Sequence, residues 1–143
     1  MPVPIRTSVA LLLFVAVSAI AGGYGILNDP SGGFLKMSTR DLAGSPFLTF
    51  LIPGLFLLVV LGFGSAAAAV LLWKIPGRVS WFFAVGISTV LLAWLAVQVA
   101  IVGYRGLLQV LYASVGVILL ALLTGRTARE YRCAAEPGRP TYR

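Results

Sequence analysis

The chain has 143 residues, of which 59% are hydrophobic and only 10% are charged, and its mean hydropathy is +0.99. A soluble domain carries roughly 25% charged residues, so this composition excludes a soluble globular protein and predicts an all-α integral membrane protein. The net charge of +7 does not indicate nucleic-acid binding, because the Lys and Arg residues are scattered between apolar segments and in the C-terminal tail.

The first apolar segment, residues 7–27, is long enough to cross a bilayer and follows the basic Arg6. Ala19-Ile20-Ala21 is similar to the small-residue site at which signal peptides are cleaved. We favour an uncleaved helix, because Tyr24 to Leu27 continue the apolar segment beyond this site. Cleavage would leave three spans. Residues 28–46 are rich in Gly, Pro, Asn, Asp and Ser, which predicts a long loop made of turns.

The second apolar segment, residues 47–73, would extend roughly 40 Å as a helix, more than the hydrocarbon core of about 30 Å. It is therefore expected to tilt or bend, and Pro53-Gly54 is the predicted place for a bend. Its second half has small residues four apart, a pattern that lets another helix approach closely. The predicted helix-packing residues are Gly62, Gly64, Ser65, Ala66, Ala68 and Ala69.

Two further spans are predicted at 79–104 and 107–124, joined by a tight turn at Arg105-Gly106. A short basic turn, 74–78, precedes them. The predicted organisation is therefore one transmembrane four-helix bundle, residues 1–125, followed by a basic cytoplasmic tail, residues 126–143.

Orientation is predicted from the basic residues, which favour the cytoplasmic side during insertion. With four spans, the N-terminus, the 74–78 turn and the tail share one side and carry eight Lys or Arg residues, whereas the other side carries three, Lys36, Arg40 and Arg105. This predicts that both termini are cytoplasmic (N-in, C-in) and that the 28–46 loop faces outward. Nine Arg against two Lys favour a bacterial source, and so an inner (plasma) membrane location.

No catalytic pattern is found. The chain lacks histidine, and its four acids, Asp29, Asp41, Glu130 and Glu136, lie outside the apolar segments. The single cysteine, Cys133, cannot form an internal disulfide. We therefore predict no metal, no cofactor and no enzymatic activity. A headgroup-modifying enzyme is a third hypothesis, and it requires Asp29 or Asp41 to converge with Arg105.

The candidate ligand-binding residues lie in the third and fourth spans. Gln98 carries an amide that hydrocarbon cannot satisfy, so it is expected to face a neighbouring helix, a cavity or a ligand. A helix contact is the simpler interpretation. The alternative is an outward-facing cleft, since a few polar groups among aromatic side chains are typical of small-molecule sites. Its predicted lining is Trp94, Gln98, Tyr104, Arg105, Gln109 and Tyr112.

A resemblance rests on several short motifs. They are Asp29-Pro30-Ser31-Gly32, Ser45-Pro46-Phe47, Ile52-Pro53-Gly54, Trp94-x-x-x-Gln98, Gly103 and Leu108-Gln109-x-x-Tyr112. Over about residues 21–120 the chain resembles a group of short, uncharacterised four-helix bacterial membrane proteins. That group has no established activity, so the resemblance implies a topology and no mechanism.

Arg126, Arg129 and Arg132 are three residues apart, so a helical tail would align them along one face beside the membrane. There they would contact lipid headgroups, although enforcing topology is the simpler interpretation.

Two functional hypotheses follow. The first is a non-catalytic interaction protein in the bilayer, either an accessory subunit of another membrane protein or a self-associating bundle. The alternative is a carrier or binder of a small apolar or weakly polar molecule, or a lipid, at the cleft near Trp94 and Gln98. A cavity reaching Gln98 would favour the alternative, and small residues facing the lipid would favour the first.

Overall fold

The computed structural model describes residues 1–33, 36, 38–104 and 106–133, without the side chain of Arg132. Its helices are α1 (Val3–Asn28), α2 (Leu51–Phe56), α3 (Gly64–Lys74), α4 (Arg78–Val102), α5 (Leu107–Thr124) and α6 (Arg126–Cys133). A π-helical segment, Leu57–Phe63, joins α2 to α3. A short 3₁₀ turn, Thr39–Leu42, lies in the loop between α1 and α2.

The described residues contain four helices long and apolar enough to cross a membrane: Val3–Asn28, Leu51–Lys74, Arg78–Val102 and Leu107–Thr124. We refer to them as the first to fourth spans. This confirms the prediction of an all-α chain with four long apolar segments. The fourth span has the predicted bounds. The first span begins four residues before its predicted start, and the second span begins four residues after its predicted start.

The spans are arranged in chain order around a ring. α1 packs against the second span and against α5, while α4 packs against α3 and α5. No Cα atom of α1 lies within 8 Å of α4, so the first and third spans are diagonal. The second span runs antiparallel to α1, since Ile20 faces Gly62 and Ile26 faces Gly54. We call the end with Asn28, Leu51 and Val102 the loop end, and the opposite end the tail end.

Glycines bring the first two spans into backbone contact. A Cβ atom at Gly23 would lie 2.8 Å from the backbone nitrogen of Leu58 and 2.9 Å from the carbonyl oxygen of Gly54. A Cβ atom at Gly62 would lie 2.7 Å from Cγ1 of Ile20. These distances are shorter than van der Waals contact, so the absence of a side chain is what permits the close approach.

The small residues predicted as a packing face are used within the chain. Ser65, Ala68 and Ala69 are buried, as is Gly62, and Ala66 is half-buried. Gly64 faces Ile87 of α4, where a Cβ atom would come within 2.8 Å of Cδ1. This face therefore joins the second span to its own neighbours.

The irregular part of the second span is the π segment rather than Pro53. Pro53 is the third residue of α2, within the first turn, where a missing backbone donor costs little because that turn has no carbonyl partner. The π segment begins one turn later and includes Leu57 and Leu61, both of which face the bundle interior. π-helical turns occur frequently at functional sites.

At the tail end, two side chains cap helix C-termini. The Trp81 indole nitrogen donates to the carbonyl oxygen of Leu123 at 2.6 Å, and the Tyr131 hydroxyl donates to that of Leu72 at 2.6 Å. Both carbonyls lie in the last turn of a span, where no backbone donor of the same helix follows. These bonds fix the relative position of elements that are distant in sequence.

The tail begins with a docked helix. Gly125 adopts an extended conformation that separates α5 from α6, and α6 packs back on the bundle through the buried Ala128 and Tyr131. Burial raises the pKa of the Tyr131 phenol, so its hydroxyl remains a donor throughout the physiological pH range. Cys133, a free thiol, is half-buried at the end of α6. The rest of the predicted tail, 134–143, lies outside the described residues.

Replacing Tyr131 with Phe is expected to loosen α6. The Leu72 carbonyl would lose its donor, which is worth about 1 kcal/mol, or roughly a fivefold rise in the undocked population. Limited trypsin digestion in nanodiscs, followed at Arg126 and Arg129, should show a comparable acceleration of cleavage. Tyr104→Phe is the matched control, because Tyr104 is exposed. Equal cleavage rates in the wild type and Tyr131→Phe would show that this bond does not hold α6.

Candidate functional site

The second and third spans diverge toward the loop end. α3 packs against α4, but no Cα atom of α2 lies within 8 Å of α4 or α5. The resulting wedge is bridged by side chains, since the rings of Phe56 and Trp94 stack with centroids 4.5 Å apart and an interplanar angle of 26°. At its end the wedge is covered by the loop, where Leu42 and Phe50 are buried against Ile26 and Ile101.

A cavity of about 300 Å³ lies in the loop-end half of the bundle. All four spans contribute to its wall. Its lining residues are Val15, Ser18, Ala19, Gly22, Leu57, Leu61, Leu91, Trp94, Leu95, Gln98, Leu108, Gln109 and Tyr112. A smaller cavity of about 80 Å³ adjoins it beneath the loop, and the two share Leu57, Trp94 and Gln98. None of the described residues that line either cavity is charged.

Gln98 is the polar residue at the junction of the two cavities. It lies four residues before the end of α4, hence nearer the loop end than the middle of the span. Its side-chain amide makes no hydrogen bond to any described residue, and it is half-buried. Among the described residues no fully buried side-chain polar atom lacks a partner, so the Gln98 amide is still accessible, and water or a ligand in the cavity can satisfy it.

Gln109 and Tyr112 form the facing wall on α5. The Gln109 amide nitrogen donates to the carbonyl oxygen of Gly103 at 3.2 Å, which ties α5 to the end of α4. Gly103 has φ of +78°, a backbone conformation that favours glycine, and this lets the chain reverse there. The Tyr112 ring stacks on Phe14 with centroids 6.1 Å apart. Its hydroxyl has no hydrogen-bond partner among the described residues.

The structure brings together four of the six predicted ligand-binding residues: Trp94, Gln98, Gln109 and Tyr112. Tyr104 is 68% exposed in the connection between α4 and α5 and lines neither cavity. Arg105 lies outside the described residues. Gln98 does not bond to a neighbouring helix, so the simpler interpretation of this residue, an interhelical hydrogen bond, does not hold among the described residues.

Several lining residues were not predicted. Ser18 and Gly22 are four apart in the first span, so a small-residue pattern was available there as well. Leu57 and Leu61 are also four apart and lie in the π-helical segment, but they are two among many leucines of the second span. Phe56, which stacks on Trp94, likewise gave no signal in the sequence.

The acidic residues of the loop have local structural partners. The backbone nitrogen of Ser31 donates to Asp29 at 3.2 Å, and that of Ser38 donates to Asp41 at 3.1 Å. The second bond belongs to a capping box at the 3₁₀ turn. Within the described ranges, no group of three Cys, Asp or Glu side chains comes together in a way that would hold a metal ion.

The arginines predicted to contact headgroups lie on α6. Arg126 and Arg129 are exposed, and the side chain of Arg132 is outside the described part of the structure. Arg6, Lys74 and Arg78 are also exposed at the tail end.

Comparisons of the chain with protein-family models, with curated proteins and with solved structures give no match. The resemblance to four-helix bacterial membrane proteins therefore stays a prediction, and function has to be argued from the geometry above.

Proposed function

We propose that this chain is a multi-pass protein of the plasma (inner) membrane that binds a small apolar or weakly polar molecule in its loop-end cavity. The observation that carries the proposal is the cavity of about 300 Å³ into which the unpartnered amide of Gln98 opens. Ligand pockets are mostly apolar, begin at about this volume and contain few polar groups, as this one does. The excess of basic residues at the tail end supports cytoplasmic termini and an outward-facing cavity.

The contacts of the small residues, which are made within the chain, also support ligand binding rather than self-association. Side chains or backbone of the neighbouring spans occupy the space where a side chain would lie at Gly23, Gly54 and Gly62. Ile87 of α4 occupies the corresponding space at Gly64. A dimerising bundle would need a comparable small-residue face toward the lipid. In the second span these residues are directed inward, so they do not supply such a face.

Gln98→Leu tests the proposal, because it keeps the volume of the side chain and removes its polar atoms. We expect the wild-type protein, purified in native nanodiscs, to carry a bound small molecule that native mass spectrometry resolves, and the variant to lose most of it. Losing a single hydrogen bond of ordinary strength corresponds to about a fivefold lower affinity.

Thr89→Val is the matched control. Thr89 lies on the same helix, is exposed, and bonds only to the carbonyl of Val85 at 2.9 Å. This variant should retain the bound species. If the wild type carries no small molecule but a defined oligomer or a stoichiometric protein partner, the proposal is wrong and the interaction hypothesis is supported.

A further inference from the structure

We infer that the ligand is a lipid with an uncharged, hydrogen-bonding head group, which enters sideways from the bilayer between α2 and α4. This inference rests on the proposed function, and names the chemical class of the molecule in the same cavity. It depends on the charge of the cavity wall, on the positions of two unpartnered polar groups, and on the volume of the cavity.

The charge of the wall selects the head group. No described lining residue is charged, so a phosphate buried beside Gln98 would meet no counter-ion among the described residues. Such burial is strongly unfavourable, because a charge leaves water and gains no paired partner. An uncharged head group does not meet this penalty.

The polar groups of the cavity wall indicate which functional groups the lipid head group carries. The Gln98 amide offers two donors and an acceptor, and the Tyr112 hydroxyl on the facing wall offers one donor and an acceptor. Neither makes a hydrogen bond to a described residue. Hydroxyl and ester carbonyl groups complement both, so an acylglycerol or another lipid alcohol fits this wall.

The volume determines the route of entry. At roughly 30 Å³ for each water-sized group, about 300 Å³ holds on the order of ten non-hydrogen atoms. This is enough for a head group but not for its acyl chains, which must remain in the bilayer. Between α2 and α4 lies the smaller cavity, which reaches Pro53 and Val97 and shares Leu57, Trp94 and Gln98 with the larger one. We take this gap as the path from the lipid, and the stacked rings of Phe56 and Trp94 lie across it. These rings have to separate for the lipid to enter.

The experiment compares two photoactivatable lipids that carry the same diazirine-labelled acyl chain and differ by one phosphate. They are a diacylglycerol and the corresponding phosphatidic acid, each reconstituted with the full chain in phosphatidylcholine vesicles. We expect the diacylglycerol to label residues 51–61 and 91–102 about fivefold more than the phosphatidic acid, and unlabelled diacylglycerol to compete. Both lipids should label the lipid-facing Val117 and Ile118 equally. Tyr112→Phe should reduce the preference at the wedge.

Equal labelling of the wedge by the two lipids, or a preference for phosphatidic acid, would overturn the inference about the head group. If neither lipid labels the wedge above the level at Val117, lateral entry is overturned as well. A different result would contradict the proposed function itself: native mass spectrometry would find no bound species whose binding depends on Gln98. A species that is not a lipid but does depend on Gln98 would leave the proposed function standing and refute the lipid assignment.

Discussion

Gly23→Ala is expected to lower the free energy of unfolding by about 1–3 kcal/mol, the usual range for overpacking. The added methyl group would lie 2.8 Å from the backbone nitrogen of Leu58 and 2.9 Å from the carbonyl oxygen of Gly54. Backbone atoms cannot move aside by a rotamer change, so α1 and the second span would have to separate. Steric trapping in bicelles would measure the difference in the free energy of unfolding.

Gly86→Ala is the control for this measurement. Gly86 also lies inside a long apolar helix, but a Cβ atom there would meet nothing within 4 Å. Its substitution should change the free energy of unfolding by less than about 0.5 kcal/mol. If both variants unfold with the same free energy, the first and second spans do not pack as closely as the structure shows.

The second large effect concerns the volume of the cavity. Ala19→Leu is expected to abolish ligand binding and to raise the stability of the empty protein by about 0.5–2 kcal/mol, because Ala19 lines the cavity of about 300 Å³. The larger side chain would occupy space that the head group of a ligand needs. Native mass spectrometry would measure binding, and steric trapping would measure stability.

Ala68→Leu provides the contrast. Ala68 is fully buried in α3 and lines neither cavity, so the same enlargement should destabilise the protein by about 1–3 kcal/mol. Binding per folded molecule should be retained. Opposite signs of the two stability changes are the expected result. If Ala19→Leu destabilises as much as Ala68→Leu, the cavity is not open space in the folded protein.

The positions of the spans were predicted well because they depend on local properties. About 20 consecutive apolar residues are needed to cross a bilayer, and that requirement can be evaluated from each segment alone. The fourth span has the predicted bounds, 107–124. The error at the start of the second span arose in residues 47–50, Phe-Leu-Thr-Phe, which are mostly apolar but precede the helix.

The candidate site was predicted in part. Trp94 and Gln98 were found because they are four apart on one helix, and Gln109 and Tyr112 because they are three apart on the next. Tyr104 was predicted to line the cleft, yet it lies in the connection between α4 and α5 and lines neither cavity. Leu57 and Leu61 were missed, since an apolar residue in an apolar span carries no signal that distinguishes the cavity side from the lipid side.

The sequence by itself determined the all-helical fold, the four long apolar helices and the polar groups available to a site, because each follows from composition or from spacing along one helix. Only the tertiary structure decided that the small residues of the second span pack within the chain, that α2 and α4 diverge, and that Gln98 lines a cavity formed by all four spans. It also decided the docking of α6, through a bond between Tyr131 and Leu72, 59 residues apart. The physical reason is that these features are contacts between distant segments, whose shapes must be known together before it is clear which groups meet and which remain unpartnered.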